Sequence, residues 1–438
     1  YMSKTTGIMA GWLIVSKDKV FRDHAVVCED GVVTDIVPNA KVAGDTRFTD
    51  ARDCIVSPGF LNTHSHMYNM IIRGKDFHPT ATSLKAMLEE WWWAKVENRV
   101  DHAIIDVTTR MSCIEMLKYG VTCVDDILEA PNSVPGCLPL EARILEKAGM
   151  RGILSVESCE RISEENGMAC LQENYNFMKA QRAAGSAVRG MMCTHTTFSC
   201  SPAFLRKAKL MADELGSGIQ LHCSEGPDEP RWCMSTFGRL PMEHYEEIGY
   251  LDSNVLASQC VIMDPCELAL MAKRGVRVSH QPISNSHDGC GVAPVPDMLQ
   301  LGIPVGLGTD GENNDLLEVM RTAMSIHRAK RINPKVITAQ EAFFMATENA
   351  ARAIGYEGIG MLEVGNQADY ITIKADTPTS INEENVIDQL VRFRHCSDIT
   401  STTVAGNLVM RNGEVLTLDE TQTKKDCREV TDAYWRTV

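Results

Sequence analysis

The chain lacks long apolar runs, closely spaced cysteine pairs and an excess of positive charge. No stretch of its 438 residues approaches the ~20 consecutive apolar residues of a membrane-spanning helix, so we expect no membrane partner. The formal net charge of −15 argues against a nucleic-acid partner, because such a surface needs clustered Lys and Arg. The first residues hold no apolar segment before a small-residue cleavage site, which predicts a cytoplasmic protein. A small molecule is the expected partner.

Sixteen cysteines are scattered along the chain, and none stands in a CxxC pair. The CxxC spacing is typical of thiolate zinc sites and of redox motifs, so neither is predicted. We expect most of the thiols to be reduced and buried as small apolar groups. Only Cys223 and Cys260 lie beside the motifs described below.

The two ends of the chain share one pattern of short strands and turns. Near the start, apolar runs flank the turn Glu29-Asp-Gly31, and near the end similar runs flank Gly406-Asn407 and Asn412-Gly413. We therefore predict a small β-sandwich built from residues 1–58 and 366–438, the latter including a charged tail. The segment between them, residues 59–365, is predicted to be inserted as one unit.

That middle segment alternates short apolar runs with longer stretches of helical periodicity, such as Ala103 to Tyr119 and Glu341 to Ile354. The alternation is typical of βα units and a parallel sheet, and eight strands favour a closed (β/α)₈ TIM barrel. The fold class is thus α/β. The eight candidate strands are 59–61, 121–124, 152–155, 190–193, 218–221, 255–257, 276–278 and 305–307.

Metal-ligand side chains follow four of these strands. His64 and His66 alternate along an extended segment and so point to the same side; His222, His280 and Asp310 follow later strands. Barrel enzymes place reactive groups at the carboxyl ends of strands, which would bring these residues together. Each has a structural alternative: a lone histidine can be a hydrogen-bonded core residue, and Asp310 can be the N-cap of the following helix.

The order of these motifs resembles the amidohydrolase superfamily, in the branch of cytosine, guanine and S-adenosylhomocysteine deaminases and triazine hydrolases. The likeness spans nearly the whole chain. It is carried by four segments: Pro58-Gly-Phe-Leu-Asn-Thr-His64-Ser-His66, Leu221-His222-Cys-Ser-Glu225-Gly226, Val278-Ser-His280-Gln-Pro-Ile-Ser-Asn285 and Gly306-Leu-Gly-Thr-Asp310-Gly311.

The resemblance implies that His64, His66, His222 and Asp310 bind one divalent ion, zinc or alternatively iron. Such an ion lowers the pKa of bound water toward ~7 and makes it a nucleophile at neutral pH. Asp310 would also accept the proton of the water. Glu225 corresponds to a family glutamate that carries a proton to a ring nitrogen and on to ammonia; its alternative is a solvated loop carboxylate.

Further substrate contacts are implied by the same likeness. His195 resembles a substrate-contacting histidine, and His280 with Asn285 resembles a motif that supplies hydrogen bonds around the site. Trp92, within Trp91-Trp92-Trp93, lies where the family builds a lid over the substrate. A helix that buries these tryptophans is the open alternative.

One position departs from the family pattern. Relatives usually read Ala-His-Cys-Val at the end of strand six, whereas this chain reads Ser258-Gln259-Cys260-Val261. Glutamine donates and accepts hydrogen bonds but carries no proton, and losing an acid–base group costs about 10²- to 10⁴-fold in rate. We predict that Gln259 orients the nucleophile or the substrate.

The leading hypothesis is hydrolytic deamination of a cyclic amidine such as a purine, pterin, pyrimidine or triazine. A second hypothesis keeps the metal site but displaces chloride or an amide or urea nitrogen. A third is a catalytically silent scaffold on the same fold, which would have broken ligand positions. Relatives commonly dimerise, so a homo-oligomer is expected.

Overall fold

The computed structural model of the chain describes residues 5–75, 80–311 and 313–438. The first residues, Tyr1–Lys4, from which a cytoplasmic protein is predicted, lie outside them. In the described residues the strands are β1 (Thr5–Ser16), β2 (Lys19–Arg22), β3 (His24–Glu29), β4 (Val32–Pro38), β5 (Phe48–Pro58), β6 (Phe60–Ser65), β7 (Val121–Leu128), β8 (Arg151–Val156), β9 (Val188–Gly190), β10 (Met192–Cys193), β11 (Ile219–Cys223), β12 (Val255–Gln259), β13 (Arg277–His280), β14 (Val305–Leu307), β15 (Tyr370–Lys374), β16 (Ile399–Val404), β17 (Asn407–Arg411) and β18 (Glu414–Val415).

The helices alternate with the strands through the middle of the chain. They are α1 (Leu84–Met87), α2 (Trp93–Lys95), α3 (His102–Lys118), α4 (Cys137–Ala148), α5 (Glu164–Ala184), α6 (Pro202–Glu214), α7 (Asp228–Phe237), α8 (Pro241–Glu247), α9 (Pro265–Arg274), α10 (Pro282–His287), α11 (Val295–Gln300), α12 (Leu316–Arg331), α13 (Ala339–Ala346), α14 (Glu348–Ile354), α15 (Val386–Phe393) and α16 (Glu420–Trp435). A π-helical turn, Leu88–Trp92, joins α1 to α2. Among the described residues no helix has the length and apolar character needed to cross a membrane.

Both ends of the chain contribute to one nine-stranded sheet. Its order is β18-β17-β16-β15-β5-β1-β3-β4, with β2 paired to β1. Strand β5 joins the two parts, because it runs parallel to β1 and antiparallel to β15. One face of the sheet buries an apolar cluster that includes Leu13, Val26 and Val56.

The middle of the chain forms two parallel sheets, β6-β7-β8-β9 and β10-β11-β12-β13-β14. Strands β7, β11 and β12 are buried along their length, as expected for parallel strands covered by helices on the outside. Several helices begin with a side-chain cap: Asp101 accepts from Ile104 N in α3, and Ser201 accepts from Phe204 N in α6. The chain is a mixed α/β protein.

Backbone hydrogen bonds join the two sheets at both edges. Met191 lies between β9 and β10 and donates its N–H to Leu154 O at 3.2 Å, after which Met192 donates to Gly218 O at 3.1 Å. At the other edge, Asp310 N donates to His64 O at 3.0 Å. Gly308 allows this approach, because a Cβ there would lie 2.8 Å from the His64 Cβ. The ends of β6 and β14 therefore lie side by side.

Two local sequence expectations differ from the structure. The predicted strand 190–193 is two short strands, because the chain changes its pairing partner from β8 to β11 at Met191. The helical pattern from Glu341 to Ile354 is also divided. Thr347 has φ −132° and its Oγ1 donates to Phe343 O, so α13 ends before α14 begins. The charged tail forms α16, and all sixteen cysteines are described as free thiols.

Candidate metal centre and its cavity

A cavity of about 480 Å³ opens at the carboxyl ends of the parallel strands. Strand geometry explains this position, because β6, β11 and β12 end at His64–Ser65, His222–Cys223 and Gln259. Most of the site residues predicted from sequence line its wall. They are His66, His195, His222, Glu225, Gln259, Asp310 and Trp92.

Three imidazoles meet beside this cavity: His66 and His222 line it, whereas His64 is fully buried and is not among the described residues of its wall. One nitrogen each of His64, His66 and His222 lies within 4.8 Å of the other two. Each ring turns its Nδ1 toward a neighbour: His64 to Ser258 Oγ at 2.9 Å, His66 to Ile127 O at 2.8 Å, and His222 to Glu157 Oε2 at 3.6 Å. The Nε2 atoms are the nitrogens left for a common ligand.

The donor set fits a divalent metal ion. His64 Nε2 is fully buried and has no hydrogen-bond partner among the described residues. Asp310 completes the set, with Oδ2 at 3.9 Å from His64 Nε2 and Oδ1 at 3.6 Å from His66 Nε2. Leaving a buried polar atom unpaired is costly unless a ligand engages it. Three imidazoles and one carboxylate form a group that divalent transition metals bind well.

The protonation states of the imidazoles depend on burial and on nearby charge. Burial and the neighbouring imidazoles hold the pKa of His64 and of His222 well below its usual value, so these rings are neutral and can bind a metal. Burial also opposes the charge of His66, but the carboxylates of Glu129 and Asp310 outweigh it and raise the pKa of His66 to about 9.

Gln259 connects Asp310 to Asn285. Its Nε2 donates to Asp310 Oδ2 at 2.7 Å, and its Oε1 accepts from Asn285 Nδ2 at 2.5 Å. Both Gln259 and Asp310 have positive φ, +76° and +59°, a strained backbone state that is common at functional sites. Asp310 is not the N-cap of α12; Asp315 fills that position and accepts from Leu317 N and Glu318 N.

Glu225 lies two residues beyond β11 in the cavity wall. Burial and the carboxylates around it, Asp310 first among them, raise its pKa well above the usual value. A raised pKa favours the protonated form of this carboxyl group, which can donate a proton to a bound molecule. This position is not that of a solvated loop carboxylate.

The other predicted contacts differ in their distance from the cavity. His195 lines it, and its ring centroid lies 5.5 Å from that of His222. Trp92 lies half-buried in the helical turn that joins α1 to α2, and its side chain lines the cavity. Its part in a lid over the substrate stays a prediction. His280 is buried beside His327, with the two Nε2 atoms 3.0 Å apart. Neither His280 nor Asn285 is among the described residues that line the cavity.

Sequence reasoning missed two buried carboxylates. Glu129 directly follows β7 and accepts from Tyr68 OH, and Glu157 directly follows β8. Glu157 Oε2 lies 3.6 Å from His222 Nδ1 and 3.9 Å from His195 Nε2. The sequence did contain a signal for both residues, because reactive groups in barrel enzymes are commonly found directly after a parallel strand. The predicted strands 121–124 and 152–155 stopped too early to reveal it.

The chain matches a known protein family. The model of the Amidohydrolase family matches residues 55–415. The chain belongs to the amidohydrolase family. The family predicted from the histidine and aspartate motifs is thereby confirmed.

Individual amidohydrolases cover nearly the whole chain. A 5′-deoxyadenosine deaminase of Methanosarcina acetivorans is 34% identical over 412 residues, 93% of this chain and 92% of its own. A 5-methylthioadenosine/S-adenosylhomocysteine deaminase of Syntrophomonas wolfei is 31% identical over 386 residues, 87% of each chain. An adenosine deaminase of Xanthomonas campestris, solved with bound zinc, has a TM-score of 0.89 at 22% identity and covers 99% of both chains.

Proposed function

We propose that this amidohydrolase removes the 6-amino group of the adenine ring from a nucleoside altered at its 5′ position. The observation that carries the proposal is the cluster of His64, His66, His222 and Asp310 beside a cavity that Glu225, a carboxyl group of raised pKa, also lines. The names of the two relatives above favour an adenine nucleoside as substrate. Hydrolytic deamination of a cyclic amidine, expected from the sequence, agrees with both names.

Zinc is the proposed ion, held by His64, His66, His222 and Asp310. When bound at such a site, zinc supplies a water that is ionised near neutral pH. The zinc in the structure of the Xanthomonas enzyme supports this choice over iron. We further propose that the two parallel sheets form one closed (β/α)₈ barrel within residues 59–365. Residues 1–58 and 366–438 would form a sandwich around the shared nine-stranded sheet.

The side chains of the site have separate roles in this proposal. Glu225 donates its proton to the ring nitrogen beside the amino-bearing carbon, which makes that carbon more electrophilic. Asp310 accepts a proton from water as the new carbon–oxygen bond forms. Gln259 holds Asp310 Oδ2 through its Nε2, and Asn285 holds Gln259 in turn. His195 and Trp92 contact the ring from the cavity wall.

The reaction balances with water alone. Both oxygen–hydrogen bonds of water break, a carbon–oxygen double bond forms, and the carbon–nitrogen bond to the amino group breaks. One water proton leaves in ammonia, the ring nitrogen keeps the proton that Glu225 donated, and the second water proton restores Glu225. No oxidant or second substrate is required, and Gln259 takes no proton at any step.

The cavity suits a nucleoside in size and in polarity. Ligand cavities of about 300–1,000 Å³ are usual for small molecules, and this one is about 480 Å³. Leu84, Met87 and Trp91 supply apolar surface for a ring, whereas Glu97 and Glu129 offer oxygens that accept from sugar hydroxyls.

Ammonia release across a panel of substrates tests the proposal. The panel is 5′-deoxyadenosine, 5-methylthioadenosine, S-adenosylhomocysteine, guanine, cytosine and a chlorinated triazine. We expect ammonia from the adenine nucleosides and a loss of about 10²- to 10⁴-fold in Glu225→Gln, with the exposed Glu165→Gln as matched control. Chloride release without ammonia would support the displacement hypothesis instead. No product from any compound at full zinc loading would support the silent scaffold.

A homo-oligomer remains a prediction from the family resemblance. Sedimentation velocity of the whole chain checks it, and a single species at the 48.4 kDa mass of one chain would contradict it.

A further inference from the structure

A second, larger cavity of about 900 Å³ lies at the opposite ends of the parallel strands. Its lining includes Gly218 just before β11, Asn254 just before β12, and Arg277, the first residue of β13. The metal centre is built at the carboxyl ends of these same strands. The second cavity is therefore separate from the candidate active site and takes no part in the proposed reaction.

Four arginines line this cavity: Arg182, Arg189, Arg277 and Arg352. Two carboxylates, Glu348 and Glu357, line it as well, so the formal charge of the lining is positive. No carboxylate oxygen of the described ranges forms an ion pair within 4.0 Å of any of the four guanidinium groups. The remaining arginines of the molecule include many that do pair, such as Arg47, Arg52, Arg110, Arg151, Arg161 and Arg274. Other described arginines, such as Arg143 and Arg206, also form no ion pair with described residues; what sets these four apart is that they line one cavity in a chain of formal charge −15.

Arg277 is held in place by backbone carbonyls. Its Nη2 donates to Asn254 O at 2.8 Å, and its Nη1 lies 3.5 Å from Arg352 O. Its Nε is buried and has no hydrogen-bond partner among the described residues. Burial lowers the pKa of this guanidinium, and Asp125 and Asp252 compensate only in part from a distance. Arg277 is therefore a cation held in one position, and its Nε–H donor has no acceptor among the described residues.

The helix ends around the cavity offset part of this positive charge. Helices α5, α6 and α14 end beside it near Gly185, Gly216 and Gly355, and the carboxyl end of a helix carries about half a negative charge. Three such ends offset about one and a half units, which is less than the excess of arginines over Glu348 and Glu357. Arg189 is also fixed, because its guanidinium stacks 3.6 Å from the centre of the Tyr356 ring.

We propose that this cavity binds a phosphate-rich anion, such as inorganic triphosphate or the phosphate tail of a nucleotide. Guanidinium groups match phosphate oxygens with paired hydrogen bonds, and several of them select ligands with several phosphates. The volume admits a ligand of nucleotide size. Arg189 covers one face of the Tyr356 ring, so that face is closed to a base. The phosphates therefore supply the recognition.

Calorimetric titration of the whole zinc-loaded protein with inorganic triphosphate tests the inference. We expect saturable binding that persists when sulfate replaces chloride at equal ionic strength. Arg182→Gln and Arg277→Gln should each weaken it about tenfold or more, because each removes a charge-assisted hydrogen bond. Arg206→Gln, an exposed arginine of α6 outside the lining, is the matched control and should bind normally. Arg182 is exposed, and its side chain forms no hydrogen bond or ion pair with the described residues, so its variant should retain the fold even if Arg277→Gln does not.

Comparing inorganic triphosphate with a nucleoside triphosphate shows which of the two kinds of ligand the cavity recognises. Equal affinity for triphosphate and for a nucleoside triphosphate means that the phosphates alone are recognised, whereas tighter binding of the nucleotide means that the cavity also contacts its nucleoside. Absence of saturable binding by either, or equal affinity of the wild type and both cavity variants, would overturn the inference. Because no reaction is measured, this result is independent of the proposed deamination.

Discussion

The carboxylate of Glu157 lies 3.6 Å from Nδ1 of His222. The same oxygen lies 3.9 Å from Nε2 of His195, so one buried carboxylate stands between a proposed metal ligand and a proposed substrate contact. A partner on Nδ1 fixes the orientation of an imidazole and leaves Nε2 for the metal. At 3.6 Å the two atoms do not form a hydrogen bond, and neither has another hydrogen-bond partner among the described residues. We therefore propose that Glu157 positions His222, although no motif marks it in the sequence.

Replacing Glu157 by Gln should weaken zinc binding by about 10- to 100-fold, because His222 loses the carboxylate that orients it. Competition with a chelator measures the zinc dissociation constant, and circular dichroism checks that the fold is retained. Glu164→Gln, an exposed change in α5, is the matched control. An unchanged zinc affinity would show that Glu157 does not position His222.

Gln259→Ala should lower kcat by about 10- to 100-fold and leave KM and zinc content nearly unchanged. The variant removes the hydrogen bond from Nε2 to Asp310 Oδ2, and bonds to charged groups are worth the most. Asn285→Ala tests the next link and should have a smaller effect of the same kind. If Gln259→Ala instead raised KM alone, Gln259 would contact substrate and not Asp310.

Zinc binding should release about one proton at pH 7. His66 has a pKa raised to about 9, so in the metal-free protein it carries a proton that zinc must displace. Zinc affinity should therefore rise with pH until about pH 9 and then level off. Titration calorimetry in two buffers of different ionisation enthalpy measures the proton count. A count near zero would mean that His66 is already neutral before zinc arrives.

Asp369→Ala should lower the free energy of unfolding by about 3–5 kcal/mol, because it leaves the buried Arg151 without its partner. Arg151 Nε lies 2.6 Å from Asp369 Oδ2, and the pair ties β8 to the segment before β15. Denaturant titration checks the prediction. The exposed pair of Arg47 and Asp45 supplies the control, since Asp45→Ala should change stability little. Equal losses in the two variants would contradict the account.

The sequence was most informative at the ends of strands. His64, His66, His222 and Asp310 could be found because each follows a short apolar run, and the fold then brings these ends to one cavity. Glu129 and Glu157 obey the same rule, but the predicted strands stopped before the ends of β7 and β8. In β7 the polar residues Asp125 and Asp126 interrupt the apolar run, and the strand predicted at β8 ended at Ser155, one residue before Val156.

Other features depend on contacts that no local pattern contains. The division of residues 190–193 arises from a change of pairing partner at Met191, which involves strands far apart in the chain. The arginine cavity is similar, since Arg182, Arg277 and Arg352 come from three different helices and strands. His280 shows that a motif can also mark a residue outside the cavity. Its side chain packs against His327 and is not among the described residues that line the cavity.

Zinc titration of metal-stripped protein, with ammonia release from 5′-deoxyadenosine as the readout, tests the central proposal most directly. We predict that the rate rises in proportion to added zinc and stops at one equivalent per chain, with His64→Asn and His222→Asn inactive at the same zinc level. Full activity in the stripped protein, or equal rates in these variants, would contradict a reaction that depends on the three imidazoles and Asp310.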